Sequence, residues 1–186
     1  MPMFATLYLP NFYLQSALRH QPKLRSQPVS LIDASEKKVT IIQLNEAAQK
    51  AGIRKGMAPS QALARCLHVV IKTRERAQEN VITDILVQHA FMLSPWVEAT
   101  GPGLCTIQFT DDRDLIPKVS RVIEKLAKCG LTGQAGIAAL SDASFFAAHL
   151  ARPVLQIDNV NDFLAPLPIE TLALSNATGL CSTNIR

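Results

Sequence analysis

The sequence predicts an α+β fold built from one larger sheet and one smaller insertion. From about residue 74 the hydrophobic periodicity gives helix, hairpin, helix, strand, helix and strand in that order. The run at residues 3–9 supplies one more strand that can join this sheet. Residues 11–73 form a smaller α/β insertion. We therefore expect an antiparallel sheet with helices on one face.

Short β-branched and apolar runs predict eight strands. Pro10 ends the first run, and the turn at residues 101–103, Gly-Pro-Gly, joins two of the later runs in a hairpin. The predicted strands are residues 3–9, 29–32, 38–42, 68–72, 96–100, 104–109, 131–138 and 154–157.

Apolar residues at i, i+3 and i+4 spacing predict the helices. Asn45 is a typical N-cap, and Gly52 is typical of the position just beyond a helix C-terminus. Asp111, Asp112 and Asp114 are interpreted as the cap and acidic first turn of a later helix. The predicted helices are residues 11–21, 45–52, 60–66, 74–93, 111–130 and 142–151, with small helices from residue 161 onward.

The composition excludes disorder and a membrane span. The 186 residues are 48% hydrophobic and 18% charged, whereas disordered chains combine low hydrophobicity with high net charge. No stretch approaches the roughly 18 uninterrupted apolar residues of a membrane helix. The N-terminus lacks the basic region and cleavage site of a signal peptide, so we expect a cytoplasmic protein.

Histidine and cysteine give no sign of a metal site. The four cysteines and four histidines are scattered, and no pair of histidines has the i, i+4 spacing of a helical metal site. We interpret the cysteines as reduced and mostly buried.

Seven short segments carry motifs of one polymerase family. They include N-E-A-A-Q-K-A-G-I-R-K-G-M at residues 45–57 and S-P-W-V-E at residues 94–98. The others are residues 12–15, 22–29, 136–138, 151–153 and 163–168. In their order and spacing these segments resemble the Y-family translesion DNA polymerases of the UmuC/DinB type.

The resemblance implies a division into palm, fingers and thumb. A ferredoxin-like palm would comprise residues 1–10 and 74–160, a small α/β fingers subdomain residues 11–73, and the start of a helical thumb residues 161–186. The thumb of this family would continue beyond Arg186, so we expect the chain to be a truncated part of a longer protein.

The family's metal-binding carboxylates are replaced at the aligned positions. The family holds two metal ions with an Asp on the first palm strand and an Asp-Glu pair in the hairpin. The aligned residues here are Tyr8, Gly103 and Leu104, and a further hairpin carboxylate falls on Gln108. None of them binds a divalent cation as a carboxylate does. We therefore expect no catalytic residue, no metal site and no cofactor.

The family's nucleotide-binding residues are replaced in the same way. Its triphosphate-gripping Tyr and Arg fall on Glu46 and Gln49, and its two helix lysines fall on Ser141 and Phe145. Only Tyr13 matches the family, at the position that excludes the ribose 2′-OH. An aromatic side chain packed in the core is an equally good interpretation of Tyr13.

Positive charge is concentrated in the predicted fingers. Residues 1–73 carry a net charge of +7 and residues 74–186 a net charge of −3, which together give the +4 of the chain. Arg54 and Lys55 are candidate DNA contacts within this basic part. A solvated basic turn is the alternative interpretation of these two residues.

The substitutions resemble the ImuB type, the catalytically inactive Y-family-like member of a bacterial mutagenesis complex. This resemblance implies DNA, a sliding clamp, an ImuA-type protein and a C-family polymerase as partners. We expect a noncatalytic subunit of DNA repair, translesion synthesis and SOS mutagenesis. The alternative is an active Y-family polymerase whose metal-binding carboxylates have moved to Asp111, Asp112 and Asp114, which would then need Mg²⁺. An unrelated α/β enzyme has no supporting phosphate-loop or nucleophile motif.

Overall fold

The computed structural model describes residues 2–111 and 113–168, which form two compact units. One unit contains the N-terminal strand and the chain from Thr83 onward, and the other contains Asn11–Ile82. The predicted boundaries of palm, fingers and thumb stay predictions, and most of the predicted thumb lies outside the described residues. Within the described ranges, no helix has both the length and the apolar character that crossing a membrane requires.

Strands and helices follow the order that the hydrophobic periodicity predicts. The strands of the described residues are β1 (Met3–Tyr8), β2 (Val29–Ile32), β3 (Ile41–Leu44), β4 (Val70–Thr73), β5 (Trp96–Gly101), β6 (Leu104–Phe109), β7 (Gln134–Ala138) and β8 (Val154–Gln156). The helices are α1 (Phe12–Leu18), α2 (Glu46–Lys50), α3 (Pro59–Arg65), α4 (Arg76–Phe91), α5 (Leu115–Lys128), α6 (Ser141–Leu150) and α7 (Val160–Leu164). A 3₁₀ helix spans Pro22–Ser26.

β3 begins three residues later than the predicted strand at residues 38–42. Asp33 accepts hydrogen bonds from the backbone N–H and the hydroxyl of Ser35, at 3.0 and 2.6 Å, and this local turn starts a longer loop. Pairing with β2 begins at Ile41, which lies opposite Ile32. The β-branched residues before Ile41 therefore stay in the loop.

Five strands form the larger sheet, in the order β5-β6-β1-β7-β8. β1 is antiparallel to both of its neighbours, and Thr6 lies opposite Thr106 of β6 and Gly136 of β7. β7 and β8 are parallel, so the prediction of a wholly antiparallel sheet is wrong at this edge. The physical reason is the intervening helix α6, because a helical crossover returns the chain in the same direction.

Helices cover both faces of this sheet, whereas the sequence predicted one. A Cβ atom on Gly136 would overlap the backbone of α6 at Ser144 and Ala148, so α6 packs directly on the face of this glycine. Ala135 and Ile137 point to the opposite face and are completely buried. α5 contacts β7 and β8 and carries five buried apolar side chains toward the core.

The smaller unit contains a three-stranded sheet in the order β3-β2-β4, and Asn45 connects this sheet to α2. The Oδ1 atom of Asn45 accepts hydrogen bonds from the N–H groups of Ala48 and Val29, both at 3.0 Å. Its Nδ2 group donates to the carbonyls of Gln27 and Arg25 at 2.6 and 3.2 Å. The predicted N-cap is confirmed, and the same side chain also fixes the start of β2.

The acidic run before α5 does not cap the helix as predicted. Asp114 occupies the N-cap position with φ 56° and makes no side-chain capping bond, since a capping residue needs an extended backbone. Asp111 instead accepts hydrogen bonds from the backbone N–H and the Nε of Arg113, at 3.2 and 3.0 Å. Asp112 lies outside the described residues.

Replacing Gly136 with alanine is expected to lower the free energy of unfolding by about 3 kcal/mol, because the new methyl group meets helix backbone that cannot rotate away. Urea denaturation measures this loss. Gly133→Ala is the matched control: its Cβ would lie 3.2 Å from Ile123 Cδ1, the end of a flexible side chain, so the loss should be less than about 1 kcal/mol. Equal losses in the two variants would contradict the proposed close packing of α6.

Candidate functional site

Three residues at the predicted catalytic positions lie together at one end of the larger sheet. Tyr8, the last residue of β1, is paired with Leu104, the first residue of β6. The N–H of Leu9 donates to the carbonyl of Gly103 at 2.8 Å. Gly103 has φ 71°, a conformation that favours glycine and allows the tight hairpin turn. Gln108 is exposed near the other end of β6 and does not join these residues.

An aromatic cluster, formed by Tyr8, Leu104, Phe145 and His149, fills this end of the sheet. The rings of Tyr8 and His149 stack with their centroids 4.0 Å apart, and Phe145 is 4.4 Å from the imidazole. Phe145 and His149 are one turn apart on α6, so both face the same strands. Leu104 and Phe145 are only 1% and 5% exposed. The neighbouring side chains are also apolar: Phe146, Phe163 and Leu164.

Burial keeps the two titratable groups of the aromatic cluster neutral. It raises the pKa of the Tyr8 phenol, and it lowers the pKa of His149 despite a hydrogen bond from Nδ1–H to the carbonyl of Phe145 at 2.9 Å. Because the carbonyl can only accept, the proton is on Nδ1, and Nε2 carries the lone pair. No carboxylate belongs to the cluster. In residues 2–111 and 113–168, no group of three or more His, Cys, Asp or Glu side chains is arranged to hold a metal ion.

A row of hydroxyl groups lies on the same face of the sheet. The Oγ1 of Thr6 is 2.7 Å from the Oγ of Ser144, which donates to the carbonyl of Ser141 at 2.7 Å. The Oγ1 of Thr106 is 3.4 Å from that of Thr6 and 3.3 Å from that of Thr100. These neutral groups satisfy one another and stabilise the contact of α6 with the sheet. Ser141 itself is exposed at the start of α6.

Four of the predicted residues of the fingers line one open depression of about 690 Å³: Glu46, Gln49, Arg54 and Lys55. Glu46 forms an exposed ion pair with Lys50 one helical turn away, at 2.7 Å, and the hydrogen bond from Lys50 lowers the pKa of Glu46. The guanidinium of Arg54 donates to the carbonyls of Gln49 and Ile53 at 2.9 and 3.0 Å. Arg54 therefore caps the end of α2, and Lys55 beside it is exposed.

Tyr13 lies under the guanidinium of Arg74, whose Cζ is 3.9 Å from the ring centroid. Arg74 is held by two carboxylates. Its Nε and Nη2 donate to Glu79 at 2.8 and 2.7 Å, and its Nη1 donates to Asp33 at 3.0 Å. We call Asp33, Arg74 and Glu79 the ion-pair cluster. Its side chains are only 10 to 16% exposed.

The strand order explains how the ion-pair cluster forms. β2 and β4 are parallel, with Ile32 opposite Thr73, so the residues that follow them emerge at the same edge of the sheet. These residues are Asp33 and Arg74. The two hydrogen bonds from Ser35, and then the charge of Arg74, lower the pKa of Asp33, so its carboxylate stays ionised at neutral pH.

Sequence reasoning missed His149, Arg74 and Glu79. The spacing of Phe145 and His149 on a predicted helix was a signal that could have linked these two residues. For Arg74 no local signal exists, because its contact with Asp33 depends on the pairing of β2 with β4.

The pH dependence of stability tests the buried, neutral state of His149. Its pKa is lower in the folded protein than the usual 6.5, so acidification below about pH 6.5 protonates the unfolded chain first and destabilises the fold. His149→Phe, which keeps a ring beside Tyr8, is expected to lose less stability between pH 7.5 and 5.5 than the wild type. Urea midpoints at both pH values measure the difference. Exposed His20 is the control position, and His20→Gln should behave as the wild type does.

Comparisons with known proteins place the chain in a family. A family model described as the impB/mucB/samB family matches residues 7–149. DNA polymerase IV of Pectobacterium atrosepticum is 24% identical over 174 residues, which covers 87% of this chain and 48% of the relative. DNA polymerase IV of Shewanella pealeana is 27% identical over 172 residues, which covers 85% of this chain and 47% of the relative. The chain thus spans about half the length of these curated relatives.

Solved structures give the same result for the fold. DinB from Sulfolobus solfataricus matches with a TM-score of 0.76 at 16% identity, over 91% of this chain and 52% of that protein. The insertion ternary complex of Dbh DNA polymerase matches with a TM-score of 0.79 at 15% identity, over 97% of this chain and 55% of that protein. These likenesses confirm the predicted α+β palm and fingers fold. The chain belongs to the impB/mucB/samB family of Y-family polymerase domains.

Proposed function

We propose that this chain is part of a noncatalytic Y-family polymerase-like subunit that acts in DNA repair, translesion synthesis and damage-induced mutagenesis. It would bind DNA and polymerase partners without itself joining nucleotides. The observation that carries the proposal is the aromatic cluster, which fills the end of the sheet where the family's metal-binding carboxylates align.

The donor groups of the aromatic cluster do not fit the Mg²⁺ ions that the family's chemistry implies. Magnesium prefers charged and neutral oxygen ligands in octahedral geometry. Tyr8 offers a phenol that burial keeps protonated, Leu104 offers only carbon, and Phe145 covers the site from α6. A divalent cation placed among these apolar side chains would lose its hydration without gaining ligands. We therefore derive no catalytic step through a metal ion.

The predicted phosphate-binding positions support the same proposal. Glu46 places a carboxylate in the depression of the predicted fingers. Its ion pair with Lys50 also neutralises the charge of that lysine. Gln49 gives a neutral side chain where the family has a cation. A triphosphate in the depression would therefore meet the carboxylate of Glu46 as well as the cations Arg54 and Lys55.

DNA binding is proposed from the relatives and from the charge distribution. The matched relatives are DNA polymerases, and the net charge of +7 lies in residues 1–73. Arg54 and Lys55 are proposed as phosphate contacts within this basic part. The sliding clamp, an ImuA-type protein and a C-family polymerase are proposed partners because of the resemblance to the ImuB type.

The alternative, an active polymerase with relocated carboxylates, has no support from the described part of the acidic run. Asp111 is paired with Arg113, and this pairing lowers the pKa of Asp111. Asp114 has a left-handed backbone. Asp112 is outside the described residues.

Primer extension tests the noncatalytic proposal. Purified protein with a primed template, all four nucleotides and Mg²⁺ or Mn²⁺ is expected to give no extension, because no carboxylate ligand is available at Tyr8 and Leu104. Robust extension that disappears in Asp111→Asn or Asp114→Asn would establish the alternative. Extension that both variants retain would indicate metal binding elsewhere and would equally overturn the proposal.

The salt dependence of DNA binding tests the role of Arg54 and Lys55. The double variant Arg54→Gln/Lys55→Gln is expected to reduce the slope of log K against log salt by about 1.4 for single-stranded DNA, because each lost phosphate contact contributes about 0.7. Fluorescence anisotropy at several salt concentrations measures the slope. Lys128→Gln, an exposed lysine at the end of α5, is the control. An unchanged slope in the double variant would contradict the proposed phosphate contacts and would indicate that Arg54 and Lys55 form only a solvated turn.

A further inference from the structure

The ion-pair cluster suggests why Tyr13 is present without the family's other nucleotide-binding residues. We propose that Arg74 is a positioning residue that holds the ring of Tyr13 in place within the smaller unit. By covering this ring, Arg74 prevents a nucleotide from contacting it. The inference rests on the proposed function in one respect, since Tyr13 is the one predicted nucleotide-binding residue that matches the family.

The ring of Tyr13 is occupied by the protein itself. The guanidinium of Arg74 covers one face at 3.9 Å from the ring centroid. The ring also packs against a buried cluster, and Phe12 meets it edge to face at 5.4 Å. The buried residues of that cluster are Leu14, Leu18, Val29 and Leu31. A sugar that stacked on this ring would have to displace Arg74.

Arg74 cannot leave this position easily. Its side chain makes a bidentate contact with Glu79 and a further hydrogen bond to Asp33. Its backbone N–H donates to the carbonyl of Ile32 at 3.0 Å. If its side chain swung away, two carboxylates that are only 10% exposed would lose their counter-charge. Leaving buried charges without a partner is strongly unfavourable.

The electrostatics of the cluster also disfavour a triphosphate. One guanidinium and two carboxylates give the cluster a net charge of −1, which the nearby charge of Arg76, acting on Asp33, offsets in part. Three of the five N–H donors of the Arg74 guanidinium already bond to carboxylates, so its charge is paired within the protein. The backbone N–H of Leu14, next to Tyr13, donates to the Oε1 of Gln43 at 2.9 Å and is also in use.

The first test observes Tyr13 directly in the wild-type protein. The ring resonances of Tyr13, assigned by comparison with Tyr13→Phe, are followed by NMR during titration with dATP and Mg²⁺. We expect them to remain unchanged at millimolar dATP. A saturable shift of these resonances would overturn the proposal.

The second test removes the cluster without leaving a buried charge. In the triple variant Asp33→Asn/Arg74→Ala/Glu79→Gln, the face of Tyr13 is uncovered, and millimolar dATP is expected to cause a saturable shift of its ring resonances that the wild type does not show. Arg74→Ala with both carboxylates intact is not a useful test, because it leaves two buried carboxylates without a counter-charge. Arg65→Ala, a change of an exposed arginine at the end of α3 in the same unit, is the control and should resemble the wild type.

A conservative variant separates positioning from charge alone. Arg74→Lys keeps the positive charge, so the unit should stay folded, but an ammonium cannot bridge both carboxylates and stack on the ring as a guanidinium does. In this variant we expect the dATP-induced shift of the Tyr13 ring resonances to be larger than in the wild type and smaller than in the triple variant. If both variants are folded by circular dichroism and show no gain, Arg74 does not exclude the nucleotide. Neither result depends on primer extension, so this inference and the proposed function can fail separately.

Discussion

The packing of α6 against the larger sheet determines what the end of β1 and β6 can bind. Gly136 allows the helix backbone to approach the strand until a Cβ would overlap it, and Thr6 bonds to Ser144 across the same contact. This close approach brings Phe145 and His149 onto Tyr8 and completes the aromatic cluster. The lack of a side chain at Gly136, in the middle of β7, thus allows the rings to fill this end of the sheet.

Each unit fills its own predicted binding positions, and the two units do so by different physical means. In the larger unit, apolar side chains occupy the positions at which the family's metal-binding carboxylates are predicted, and burial raises the pKa of Tyr8 and lowers that of His149. In the smaller unit, a buried network of charges covers one face of Tyr13. In both the aromatic cluster and the ion-pair cluster, the side chains find their contacts within the same unit. A protein of this kind can retain the fold and its surface for partners while its reaction is lost.

The sequence was sufficient to predict features that depend on local periodicity and local turns. The N-cap Asn45, the hairpin at Gly103 and the succession of helices follow from neighbouring residues. Three features were not predictable in this way. The parallel pairing of β8 depends on how α6 returns the chain, the contact of Arg74 with Asp33 depends on the pairing of β4 with β2, and the left-handed backbone of Asp114 prevents the expected cap. Each requires the tertiary structure, which overrides local preference.

Mn²⁺ binding tests, without any need for turnover, whether the end of β1 and β6 holds a divalent cation. Electron paramagnetic resonance of free Mn²⁺ during titration with the protein reports each bound ion as a loss of signal. We expect the free Mn²⁺ signal to be retained at stoichiometric protein, because a neutral phenol, a leucine and an imidazole buried among rings provide no set of oxygen ligands. Saturable loss of one or two equivalents of Mn²⁺ that is abolished by Tyr8→Phe would contradict this expectation.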